Sequence, residues 1–394
     1  MPGRFPKPLA TESDLASRWL GASVMAASDE SFGDKENLLK PGPAVFEPGR
    51  YDNRGEIVDG WETKRRREPG HDWALIRLGA SGVITSIDVD TSYFTGNFPE
   101  SGRIEACGCE GYPGPAELVE ADWIEVVPRS PLRGNTHNTF TVGDERRFTH
   151  VRLSIFPDGG VARLRVLGRV IPDPRPLDGL TMDLASQEYG GAVVASSDEF
   201  YTSAQLLNRP ERARTMGEGW EARRRRDEGH DFVILQLAFA GIIRQLVVDT
   251  AHFKYNATPE ISFYGAAGEI APPVDSRDWR PLLGRTRLQP DTLHVFSVEA
   301  TGPVGSIRLD AFPDGGISRI RAVGSIDPAA RRRAGYRWFN ALPATQARRC
   351  LIDAGLSQDD ATAVVERRPL AEGSPGLSKK LAAILEGPSQ AAGS

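Results

Sequence analysis

Val151-Arg-Leu-Ser-Ile-Phe-Pro-Asp-Gly-Gly-Val-Ala-Arg-Leu-Arg-Val-Leu-Gly168 recurs as Ile307-Arg-Leu-Asp-Ala-Phe-Pro-Asp-Gly-Gly-Ile-Ser-Arg-Ile-Arg-Ala-Val-Gly324. Both copies are rich in β-branched and aliphatic residues on either side of a Gly-containing turn, which is strand composition. A repeat of roughly 155–170 residues is too long for a solenoid unit and implies two copies of a whole domain.

Other blocks recur in the same order. Gly60-Trp-Glu-Thr-Lys-Arg-Arg-Arg-Glu-Pro-Gly-His-Asp-Trp73 matches Gly219-Trp-Glu-Ala-Arg-Arg-Arg-Arg-Asp-Glu-Gly-His-Asp-Phe232. Asp90-Thr-Ser-Tyr-Phe-Thr-Gly-Asn97 matches Asp249-Thr-Ala-His-Phe-Lys-Tyr-Asn256, and Trp123 falls in register with Trp279. Ile171-Pro-Asp-Pro-Arg-Pro-Leu-Asp-Gly179 reads as a linker. The expected organisation is a frayed N-terminus (1–20), a first domain (21–170), a linker (171–184), a second domain (185–328) and a helical appendage (335–387). The fold class is all-β: two tandem antiparallel β-sandwiches, with 41 Gly and 29 Pro serving many turns.

The net charge of −5 argues against nucleic acid as a partner. No apolar run reaches the about 18 residues of a membrane span. The first residues lack a signal-peptide pattern. Three cysteines cannot make a disulfide framework, so a cytoplasmic chain is expected. No Cys/His spacing resembles a zinc site, and a metal, if used, would be a divalent ion held by oxygen and imidazole ligands.

If Asp158-Gly159 forms a two-residue hairpin turn, Arg152 lies opposite Arg165 and Ser154 opposite Arg163. The second copy then sets Arg308 opposite Arg321, and Asp310 opposite Arg319. Like charges across a ladder are destabilising, so the pattern implies either internal carboxylate partners or a bound anion. The Arg run after Trp61 is either a solvated strand or part of a site, as is the run after Trp220. His71-Asp72 and His230-Asp231 stand where a strand begins, and each pair is either structural or catalytic. His137, His150, His252 and His294 have no counterpart in register.

Together these blocks resemble the allantoicase family over about residues 20–328. The resemblance rests on Asn37-Leu-Leu39, the Asp59–Arg67 run, Gly70-His-Asp-Trp73, Asp90–Asn97 and both Phe-Pro-Asp-Gly-Gly stretches. It implies two jelly-roll domains of the galactose-binding-like type, usually in a homo-oligomer, and hydrolysis of the small molecule allantoate to ureidoglycolate and urea. A shorter segment, from Trp338-Phe-Asn-Ala-Leu-Pro343 to Arg367-Arg-Pro-Leu370, resembles the start of the ureide-pathway OHCU decarboxylase.

Such a reaction needs a cation for the substrate carboxylate, a base for water and a proton for the departing urea. The candidates are Glu62, His71 and Asp72 for proton transfer, and Arg152, Arg163, Arg165, Trp61 and Asn97 for binding. Their counterparts are Glu221, His230, Asp231, Arg308, Arg319 and Arg321. In the second copy Tyr255 replaces Gly96 and could fill a pocket, and Asp310 could neutralise the Arg cluster at Arg319. The competing reading is a non-catalytic β-sandwich that binds an anionic or carbohydrate ligand.

Overall fold

The computed structural model describes residues 12–53, 55–299, 302–374 and 378–388. Of the N-terminus expected to fray (1–20), residues 1–11 lie outside these, whereas the rest is ordered: Ser13–Asp14 pairs with Leu167–Gly168, and Leu15 and Ala16 are buried. The chain divides into two compact units, one from Glu12–Pro172 with Phe339–Pro369, the other from Asp173–Trp338 with the chain from Leu370 onward.

The first unit holds β1 (Ser13–Asp14), β2 (Ser23–Ala27), β3 (Tyr51–Asp52), β4 (Gly55–Glu56), β5 (Trp61–Glu62), β6 (Asp72–Asp90), β7 (Ser101–Cys107), β8 (Ile124–Pro131), β9 (His137–Thr141), β10 (Arg147–Phe156), β11 (Gly160–Val161) and β12 (Arg163–Val170), with a short α-helix, α1 (Pro115–Leu118), and 3-10 turns at Arg18–Leu20 and Lys35–Leu39. Eight strands form an antiparallel sheet organised on β6. The N-terminal half of β6 pairs with β2 and β10, and its C-terminal half with β9 and β12. One strand therefore serves both leaves of a jelly roll. Its alternation carries Ala74, Ile76 and Leu78 inward before the bend and Ile84, Ile87 and Val89 after it, against Val151, Leu153, Ile155, Leu164 and Val166.

The second unit repeats this plan with β13 (Met182–Asp183), β14 (Ala192–Ser196), β15 (Trp220–Glu221), β16 (Asp231–Asp249), β17 (Glu260–Ala266), β18 (Arg280–Arg287), β19 (Leu293–Ser297), β20 (Val304–Phe312), β21 (Gly316–Ile317) and β22 (Arg319–Ile326). The all-β expectation holds in both copies.

The hairpin expected from Asp158-Gly159 does not form. β10 and β12 lie on either side of β6 rather than against each other, and Gly160–Val161 pairs with Trp61–Glu62. Arg152 faces Leu75 and Glu105, Arg163 faces Asp90, and Arg165 faces Asp88. In the second unit Asp310 faces Phe232 and Ser262, not Arg319. With β6 between the two strands, Asp158 serves a longer connection, where its side chain accepts a 2.8 Å hydrogen bond from the Arg66 amide. Asp314 does the same for Arg225 at 2.9 Å.

The C-terminal segment is helical: α2 (Pro328–Ala341), α3 (Ala344–Asp353), α4 (Gln358–Glu366) and α5 (Lys379–Glu386). In the first unit Gln346 donates to Glu110 at 2.8 Å and Thr345 to Asp122 at 2.9 Å. In the second, buried Arg331 grips Asp178 and donates to the Leu385 carbonyl at 3.1 Å. Among the described residues no helix is long and apolar enough to cross a membrane.

Candidate active site

Trp61 begins the site by being buried. Its ring has no exposure, and its indole N–H donates to the Asp29 carbonyl at 2.7 Å. Strand alternation then turns Glu62 outward. The Glu62 backbone is pinned on both edges, by Gly160 of β11 and by Gly33. Its carboxylate Oε1 accepts a 2.6 Å hydrogen bond from Asn97 Nδ2.

Around this pair opens a cleft of about 550 Å³, lined among others by Thr63, Arg65, Arg66, Gly96 and Asp158. A Cβ at Gly96 would meet nothing, which leaves that wall open. No cation pairs with Glu62 among the described residues, and burial lifts its pKa above the usual carboxylate value, the Asn97 hydrogen bond offsetting part of the rise. Arg65 is exposed and makes no ion pair among the described residues. Arg66 is held from below: its Nη1 donates to Asp72 Oδ1 at 2.8 Å, and Ser28 donates to the same oxygen at 3.0 Å.

His71 and Arg152 meet elsewhere. They line a neighbouring cleft of about 450 Å³ with Trp73, Arg103 and Trp123, and Arg66 borders both clefts. His71 stacks on Phe156 at 4.7 Å. Burial, then the charges of Arg103, Arg66 and Arg152, hold its pKa below the ordinary imidazole value, so it is neutral at physiological pH.

The expected binding set thus separates. Glu62 and Asn97 come together, His71 and Arg152 come together, and buried Asp72 anchors Arg66. Trp61 is core. Arg163, 2% exposed, is bound by Asp59 and by the carbonyls of Asp59 and Ala162. Arg165 donates to the Lys40 and Gly42 carbonyls. Arg319 and Arg321 are engaged in the same way, Arg319 by the Glu218 carbonyl and Arg321 by that of Pro210. These arginines tie the loop before β5 or β15 to the sheet. Arg65 and Arg103 were missed as site residues. Arg65 sat unremarked within a charge run, and Arg103 aligns with Ser262, so the repeat did not mark it.

The second unit keeps the central pair: Asn256 Nδ2 donates to Glu221 Oε1 at 2.6 Å. Its Arg225 is taken by Asp231 and also by Asp227, and Met216 Sδ lies 3.4 Å from Asn256 Nδ2. Tyr255 stands fully in solvent and fills no pocket. Asp310 does neutralise an arginine, but it is Arg308, through 2.7 and 2.6 Å hydrogen bonds. His230 lies 3.3 Å from the same carboxylate.

Among the described residues no three His, Cys, Asp or Glu side chains converge as metal ligands. The site's chemistry is that of a half-buried carboxylate beside an amide donor, an exposed guanidinium at Arg65 and a second one anchored at Arg66.

A family model for the allantoicase repeat matches residues 13–171 and 182–327. A probable allantoicase of Streptomyces coelicolor is 46% identical, the match covering 83% of this chain and 89% of that protein. One from Streptomyces avermitilis is 44% identical, covering 84% and 90%. The crystal structure of the Saccharomyces cerevisiae allantoicase superposes with a TM-score of 0.68 at 33% identity, covering 79% of this chain and 93% of that one. With both repeats matched and relatives aligned over nearly their whole length, the chain belongs to the allantoicase family.

Proposed function

We propose that this chain hydrolyses allantoate to ureidoglycolate and urea, with the chemistry at Glu62 in the first unit. Family membership supports the reaction. The observation that carries the location is a half-buried carboxyl held by Asn97 beside Arg65, which has no internal partner among the described residues. Arg65 supplies the planar fork that recognises the substrate carboxylate. The ureido group that stays behind assists departure of the other, because its nitrogen lone pair stabilises the central carbon as the C–N bond breaks. Glu62 takes a proton from water as the oxygen bonds to that carbon. The departing nitrogen receives the proton that Glu62 took up, and the balance is one allantoate and one water in, one ureidoglycolate and one urea out. Asn97 fixes Glu62 Oε1 and leaves Oε2 for the transfer. Asp72 positions Arg66 and does not itself meet substrate.

Because the base is a side chain, turnover is expected to survive chelation. With three cysteines, too few for a disulfide framework, we place the enzyme in the cytoplasm. We take it to be a homo-oligomer acting on a small molecule, without nucleic acid or membrane as partner.

The test is urea release by the purified protein, with and without chelator. Allantoate should be turned over and neutral allantoin should not. Glu62→Gln, with an unchanged thermal melt, should lower kcat about 10²- to 10³-fold. No urea from allantoate would refute the activity, and full activity in Glu62→Gln would refute the site.

A further inference from the structure

The two units treat one place in the fold differently. On the outer face of β6, β7 and β10, Ser154 lies across from Trp73 and Arg103, and Arg152 across from Glu105. In the second unit the same register sets Asp310 across from Phe232 and Ser262, and Arg308 across from Tyr264. Asp310 there closes the cluster: Arg308 binds it with two nitrogens, and His230 lies 3.3 Å away. That place is internally neutral, with one guanidinium against one carboxylate.

The first unit keeps the arginine and the histidine but has Ser154 in place of Asp310, its carboxylate being Glu105 on β7, where the second unit has Tyr264, and Arg152 binds it with Nε at 3.0 Å as well as Nη2. Arg152 and Arg103 share one oxygen of Glu105, at 2.9 and 3.2 Å, which leaves two guanidinium groups against one carboxylate. Ser154 is fully buried with its Oγ unpartnered, and Arg103 Nε is likewise buried without an acceptor. Above them, Trp73 and Trp123 line the cleft of about 450 Å³, and Arg152 covers the Trp123 ring at 4.6 Å. The neutral His71 ring faces the same space.

We infer that this cleft is a second ligand site, built for a small monocarboxylate bearing a planar amide or ureido group, and that Asp310 in the second unit occupies the position its carboxylate would take. The ligand's carboxylate completes the excess positive charge of Arg103 and Arg152, and its planar part lies on indole. The site is separate from the Glu62 cleft, with which it shares Arg66, and does not depend on Glu62 carrying the chemistry.

The probe is N-carbamoylglycine, a monocarboxylate with one ureido group, titrated into the full-length protein and followed by calorimetry and tryptophan fluorescence. Ser154→Asp supplies the carboxylate that the second unit already has. It should weaken probe binding tenfold or more while leaving kcat/KM for allantoate within about twofold. Arg152→Gln, checked by thermal melt, should weaken the probe by a similar factor. Arg65→Ala, which strips the neighbouring cleft, should leave this binding in place. Unchanged probe affinity in folded Ser154→Asp overturns the inference, as does absence of saturable binding to the unaltered protein. Loss of both probe binding and hydrolysis in folded Ser154→Asp also overturns it, because the cleft would then be the substrate's own. Loss of hydrolysis in Glu62→Gln with probe binding intact supports it.

Discussion

At Glu62 two neighbours act in opposite directions on one carboxyl. Burial raises its pKa and the Asn97 hydrogen bond lowers it, with burial the larger. A base works when ionised, so kcat/KM should fall as pH drops through a pKa above the ordinary 4.5. Glu62→Gln should abolish that acid limb. A limb centred at or below 4.5 in the unaltered enzyme would mean that some other carboxylate is the base. Arg163 makes the contrasting case. Its side chain is 3% exposed, and its ion pair with Asp59 ties the loop before β5 to β12. Without Arg163, Asp59 keeps Lys40 as a partner, but the hydrogen bonds of the buried guanidinium to the Asp59 and Ala162 carbonyls are lost, so Arg163→Ala should lose about 2 kcal/mol of stability in urea unfolding. Arg319→Ala, whose guanidinium holds three carbonyls, should also be clearly destabilised. Activity per folded molecule should survive Arg163→Ala, and a tenfold fall in kcat of the folded variant would return Arg163 to the substrate. Repetition within the chain drew attention to Glu62, Asn97, Trp61 and Arg163 alike, because folding and chemistry both preserve residues. Burial separates them, and burial depends on which strand lies opposite, which the local pattern did not show.

Element by element, the strands were legible and their partners were not. Alternation sets Leu153, Ile155, Leu164 and Val166 on the core side of their strands, since period two is a local property, but it does not show that Arg163 on the other side is buried too. Pairing is not local. A two-residue turn at Asp158-Gly159 satisfies turn preference but ignores β6, which inserts between the flanking strands. What permits one strand to serve both leaves is close backbone approach at its bend. A Cβ on Gly82 would lie 2.2 Å from the Arg169 carbonyl oxygen, and one on Gly241 would lie 2.4 Å from that of Ser325. Both glycines sit where the long strand changes partners. Gly82→Ala should therefore force β6 and β12 apart at a cost of about 1–3 kcal/mol in chemical denaturation. Stability equal to that of the unaltered protein would show that the bend has slack the contact distances deny.

For the whole molecule, the duplication raises the question of how many sites one chain carries. The Glu–Asn hydrogen bond is the same length in each unit, 2.6 Å, and the adjacent Arg–Asp anchor is nearly so, 2.8 against 2.9 Å. The differences lie in what surrounds them. Arg66 meets one carboxylate, whereas Arg225 meets Asp231 and Asp227, and its fork is therefore spent internally. The thioether of Met216 adds a contact to Asn256 that Asn97 lacks. A guanidinium already neutralised contributes little to holding an anion, and an amide shared with sulfur is a poorer orienter of its carboxylate. The second copy thus keeps the framework of a site, with exposed Arg224 where the first has Arg65, while the charge of Arg225 has been turned inward, the same change that Asp310 makes at Arg308. Catalysis should accordingly be one-sided. Glu62→Gln should cost at least 100-fold in kcat/KM, and Glu221→Gln no more than about threefold, with both variants confirmed folded by thermal melt. Equal losses in the two variants would establish a working site in each unit, and the inward charge of the second copy would then have to be structural without consequence for its chemistry.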